Sequence, residues 1–162
     1  MRREQKEIVG GTKVFVACMH YHYMLEQEGR IVDTRCNLVY DLSSFDVVIK
    51  STNSVGIGFS FGDFRNGINS GFCGLQLAVL LGYKRIYLAG MDFVLGKGDK
   101  THYHEGYRQS TVRFKERLAE YLVYFTEGLE QLKAESSVEV FSLSPTSKLN
   151  NILPYVDIKA VR

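Results

Sequence analysis

Residues 70–82 constrain the fold most. Phe72, Leu75, Leu77, Ala78, Val79, Leu80 and Leu81 follow one another with almost no polar face between them, so a helix here has to be buried on most sides. Gly82 stops it, Tyr83-Lys84-Arg85 makes a short connection, and Ile86-Tyr87-Leu88-Ala89 reads as a buried strand. A helix, a two- or three-residue turn and an apolar strand form the second half of a βαβ unit. Such units belong to sheets that bind ligands outside the carboxyl ends of their strands.

The rest of the chain fits the same class. Residues 12–18 (TKVFVAC) and 45–50 (FDVVIK) are strand-like, and residues 21–29 read as a short helix with Gly29 as its stop. Residues 31–40 fit either state. Residues 51–70 form a glycine-, asparagine- and serine-rich stretch too long for a plain turn. Residues 109–133 carry Phe114, Leu118, Tyr121, Leu122, Phe125, Leu129 and Leu132 on one stripe, which predicts a long amphipathic helix. A last strand spans residues 138–142, after which Ser147 caps a short helix that Pro154 ends. Alternating strands and helices predict one α/β domain over residues 1–162 with a mainly parallel sheet.

Composition excludes several functions. A net charge of +2 on 162 residues, with no basic cluster longer than two, gives no footprint for nucleic acid. No apolar run approaches the roughly 20 residues of a membrane span, and no signal-type segment follows the charged N-terminus. Cys18, Cys36 and Cys73 lack metal or redox spacing. A reducing, cytoplasmic setting is expected.

The chemistry-bearing residues gather between Asn69 and His104. Ser70-Gly71 starts the apolar helix, where free N–H groups favour an anion such as a phosphate; the alternative is that Ser70 is simply the N-cap. Gly90 and Asp92 follow the buried strand. There Asp92 binds ribose hydroxyls, a metal or a proton, or else caps a turn. Arg65 is either an anion clamp or a surface charge paired to Asp63. All four histidines lie in two triplets, His20-Tyr21-His22 and His102-Tyr103-His104. Spaced i, i+2 in extended chain, each pair projects to one side and together they offer four nitrogens to a metal. The simpler reading makes the loop histidines near an acid general-base candidates. Residues 144–147 form a polar lip after the last strand, or a turn and a cap.

Asn69-Ser70-Gly71 with its helix, then residues 81–93 (LGYKRIYLAGMDF), Thr101-His102-Tyr103 and residues 140–149 (VFSLSPTSKL), together resemble the bacterial sialyltransferases of glycosyltransferase family 42. The same residues are similar to the related motility-accessory and pterin-pyrophosphokinase-like domains. The resemblance covers residues 69–155. It implies a Rossmann-like three-layer domain that binds a nucleotide-activated, CMP-type acidic sugar and transfers it to a sugar hydroxyl of a glycan without a metal. It also implies that Ser70 and Gly71 lie by the donor phosphate, with Asn69 beside them, that Gly90 and Asp92 contact the nucleoside, and that His104 or His102 is the base.

The chain departs from the family pattern at four places. Gly106 stands where the base aligns without gaps, Val94 where the family has a Tyr, and Gly67 where it has an Arg, with Arg65 offset by two. The family's Gly-x-Gly-Pro-Ser first strand is missing, so the chain resembles the C-terminal two-thirds of the domain, with an open sheet edge that favours a homo-oligomer. These departures support an alternative: a catalytically degenerate binding or assembly protein of phage or accessory type. A metal-dependent phosphotransferase or hydrolase using the histidines is the third reading.

Overall fold

The computed structural model describes residues 13–17, 24–34, 38–98 and 111–161. By their contacts, the residues group into two compact units, Met1–Tyr83 and Lys84–Arg162.

In the first unit, β1 (Val14–Ala17) pairs in parallel with β5 (Val47–Thr52), and β5 pairs in parallel with the two-residue β6 (Phe64–Arg65). The register Val14↔Val47 and Val16↔Ile49 puts four aliphatic side chains on one face. Helix α1 (Ser70–Leu80) packs there: Ile49, Phe64 and Leu80 form a buried cluster, with Val14, Val16, Cys73 and Leu77 against it. On the opposite face Phe15 meets the rings of Tyr40 and Phe45, with centroids 5.0 and 4.8 Å away.

Residues 24–29 depart from expectation, and residues 31–40, which fit either state, are mainly strand. Instead of a helix ending at Gly29, the chain forms an antiparallel meander of β2 (Met24–Gln27), β3 (Arg30–Asp33) and β4 (Leu38–Asp41). Glu28 and Gly29 both have positive φ, 48° and 75°. Two successive left-handed residues make the two-residue hairpin loop whose twist matches that of its strands. The glycine is therefore a hairpin residue rather than a helix stop. Ile31, fully buried, anchors the inner face, while Leu25 and Val39 stay on the outer one. The expected parallel sheet is present, with an antiparallel sheet beside it in sequence.

The long segment between β5 and α1 is pinned from within by Gln76. This side chain is fully buried, and its Oε1 accepts from the backbone N–H of Gly58 at 3.0 Å and of Arg65 at 3.4 Å. Gln76→Leu keeps the bulk but strands both donors. Chemical denaturation should show a loss of about 1–3 kcal/mol, the cost of unsatisfied buried N–H groups. An unchanged midpoint would mean that water serves these donors equally well.

The second unit contains a complete strand–helix–strand arrangement. β7 (Arg85–Leu88) and β8 (Glu139–Ser142) pair in parallel, and α2 (Thr111–Glu135) lies between them in sequence. Ile86, Leu88, Val140 and Ser142 share the buried face. On the other face the rings of Tyr87 and Phe141 stack at 5.3 Å, and Arg85 bridges Glu139 at 3.2 Å. The stripe predicted for α2 is partly realised, with Phe125, Leu129 and Leu132 buried. Phe93, after β7, sets its ring edge-on to Phe125 at 5.1 Å. No described helix is long and apolar enough to cross a membrane.

Candidate functional site

In the second unit the site candidates stand where the two parallel strands end. Beyond β7 the chain turns at Gly90, whose φ of 70° favours glycine, and a Cβ added there would meet nothing within 4 Å. Beyond β8, Ser147 caps a 3-10 helix (Lys148–Asn151) by accepting from Leu149 N–H, as its position in the sequence predicts.

The two strand-end loops are bonded together. The Ser147 hydroxyl donates to the Met91 carbonyl at 2.5 Å, and Lys148 N–H donates to the Asp92 carbonyl at 3.0 Å. Asn150 closes the second loop, its Nδ2 donating to the carbonyls of Ser144 and Pro145 at 3.0 and 3.2 Å. These bonds fix the backbone of residues 90–92 against residues 144–150.

The bonds leave two acceptors over. Asp92 Oδ1 and Asn150 Oδ1 are both shielded from solvent and receive no hydrogen bond among the described residues. A carboxylate oxygen in that condition is costly unless a donor arrives. Hydroxyl or amino groups of a ligand satisfy it, and Gly90 leaves the space beside the turn open. A phosphate, which brings only acceptor oxygens, does not.

In the first unit the predicted anion site has a different construction. The N-cap of α1 is Asn69 rather than Ser70: Asn69 Oδ1 accepts from Gly71 N–H at 2.8 Å and Phe72 N–H at 3.3 Å. Ser70 is the first helical residue and its side chain is exposed. Two of the N–H groups that a phosphate would use therefore already have an acceptor. The preference of Asn for the N-cap was a signal available in the sequence. Arg65 forms a two-pronged pair with Asp63, with Nε to Oδ1 at 3.1 Å and Nη2 to Oδ2 at 2.8 Å, and Nη1 donates to the Val55 carbonyl. That is the surface pairing weighed as its alternative.

Beside Asn69 and Ser70 lies a cavity of about 400 Å³ that sequence reasoning did not anticipate. Val14 and Val16 belong to its wall, and Gly74 and Leu77 to its helical side. Val16 of β1 and Asn69, the N-cap of helix α1, are 53 positions apart in the sequence, and no local pattern links them.

His102 and His104, like His20 and His22, lie outside the described residues. Among the described residues, no group of three or more His, Cys, Asp or Glu is placed to hold a metal ion. No family model, curated protein or solved structure matches the chain.

Proposed function

We propose that the protein is a Rossmann-like, sialyltransferase-like domain that binds the nucleoside of a CMP-type activated acidic sugar at the ends of β7 and β8. Asp92 takes the hydroxyl or amino donors of the nucleoside, and Gly90 gives the ligand access to the turn. In the transfer step, the acceptor hydroxyl oxygen bonds to the anomeric carbon. The bond from that carbon to the phosphate oxygen breaks, and CMP leaves with the electron pair. The hydroxyl proton passes to His104 or His102. The observation that supports this reading best is the buried, unmet Asp92 Oδ1 in a loop fixed by the Ser147 and Lys148 bonds.

Thermal unfolding with CMP tests it. At 100 times its Kd, CMP should add about 2.7 kcal/mol of stability, and Asp92→Ala should remove that shift. If no nucleotide moves the transition of the wild-type chain, the reading fails. With donor and acceptor sugars supplied, His102→Ala/His104→Ala should lower the transfer rate by roughly 10²–10⁴-fold and leave the CMP shift in place.

A second reading is favoured by the first unit. Asn69 already occupies the N–H groups of Gly71 and Phe72, and Asp63 already holds Arg65. Both expected anion-holding groups are thus engaged by the chain itself, which suits a binding protein that does not transfer. That protein would show the CMP shift with no turnover.

A further inference from the structure

Asn150 is aimed by the chain itself. Its Nδ2 donates twice, to the carbonyls of Ser144 and Pro145 at 3.0 and 3.2 Å. Turning the amide over would set Oδ1 against two acceptors, so the orientation is fixed and Oδ1 is the end left over. That oxygen is shielded from solvent and receives no hydrogen bond among the described residues, and the same holds for Asp92 Oδ1. A buried acceptor without a donor is costly, and two in neighbouring loops need a common explanation.

Both residues belong to the second unit, and the backbone ties their loops together. Asn150 lies one 3-10 turn beyond Ser147, with its N–H on the Ser147 carbonyl at 3.1 Å. Residues three apart in such a turn stand above one another. Ser147 in turn bonds the Met91 carbonyl, and Lys148 N–H bonds the Asp92 carbonyl. The turn that carries Asn150 is thus laced to the residue pair that ends in Asp92.

Two acceptors call for a group that brings donors on neighbouring atoms. A hard cation takes about six or more oxygens, and the Met91 and Asp92 carbonyls are already engaged. Base edges mix donors with acceptors, so a base laid across both oxygens tends to set a lone pair against one of them. A ribose brings two hydroxyls on adjacent carbons, and each can donate. An acid past a strand end commonly holds such a hydroxyl. We propose that Asp92 Oδ1 and Asn150 Oδ1 together take the 2′- and 3′-hydroxyls of a ribonucleotide, so that this site reads the sugar. The inference rests on the nucleoside reading above and narrows it to ribose over deoxyribose, with Asn150 as a second binding residue.

Isothermal titration calorimetry on the full chain compares CMP, 2′-deoxy-CMP, 3′-deoxy-CMP and UMP. Each deoxy nucleotide leaves one shielded oxygen unmet and should bind at least about tenfold more weakly than CMP, whereas UMP, with the same ribose, should bind within about threefold of it. Deoxy nucleotides that bind as well as CMP would show that water alone meets the two oxygens; the proposal then falls and the nucleoside reading stands. A weakened UMP beside unaffected deoxy nucleotides would assign the oxygens to the base amino group and overturn it as well. Absence of CMP binding sinks both. In Asn150→Ala, one of the two deoxy penalties should vanish. If CMP and both deoxy nucleotides weaken there by the same factor, Asn150 only shapes its loop and the paired site is wrong. The wild-type ranking needs no variant, and it decides where Asn150→Ala does not fold.

Discussion

Gly58→Ala should be strongly destabilising, lowering stability by at least about 3 kcal/mol. A Cβ at this buried position would stand 1.5 Å from the Asp63 carbonyl oxygen and 2.7 Å from its carbon. Both are backbone atoms, so no rotamer change relieves the overlap, and residues 58 and 63 would have to separate. Separation breaks the Gly58 N–H bond to Gln76 Oε1 and displaces Asp63 from Arg65. Large losses come from a short set of causes, overpacking and broken buried networks among them, and this substitution combines both. At roughly 2–4 °C per kcal/mol for a chain of this size, the melting temperature should fall by about 6–12 °C or more. A drop under about 2 °C would show that the 58–63 loop is not packed as described.

Gly67→Ala is expected to cost nearly as much, but by two causes that experiment can separate. Gly67 has φ at 56°, and a Cβ there would lie 2.4 Å from a ring atom of Phe72, which is fully buried, and 2.8 Å from its Cβ. The conformational part, about 1 kcal/mol for a non-glycine residue in this region, persists whatever the neighbour. The steric part depends on Phe72. Truncating a buried Phe by itself costs about 3–5 kcal/mol. In a cycle of Gly67→Ala with Phe72→Ala, which removes the ring and leaves only the Cβ, the double variant should therefore lose clearly less than the sum of the two single losses. Strict additivity would mean that the turn moves away from the helix rather than pressing on it. Such an outcome would also loosen the placement of Ile68 in the cavity wall.

What could be read in advance depended on how local the cause was. Helix α1 was legible from Phe72 to Gly82 because an unbroken apolar run with a glycine stop has few other uses. Strands β7 and β8 were legible for the same reason, as was the Ser147 cap. Residues 24–29 form a strand and hairpin loop where a helix is expected, because Gly29 ends helices and also builds two-residue hairpin loops. The choice went to the hairpin where Ile31 found a buried place across from Glu26 and Tyr40. The pairing of Arg65 with Asp63 is one of the two alternatives the sequence offers, whereas the N-cap falls on Asn69 rather than Ser70.

By itself, the sequence determined the class of fold and the positions of the elements whose pattern is local: α1, α2, the strands β1, β5, β7 and β8, and the Gly90–Asp92 turn. Only the tertiary structure decided which groups are satisfied. Lys148 and Ser147 donate to the backbone carbonyls of Asp92 and Met91, while Asp92 Oδ1 receives no donor among the described residues. Likewise, β1 and α1 line a half-open pocket with residues distant in sequence. The physical reason is that periodicity and propensity act over a few residues, whereas hydrogen-bond satisfaction and enclosed volume are properties of whatever the fold brings together.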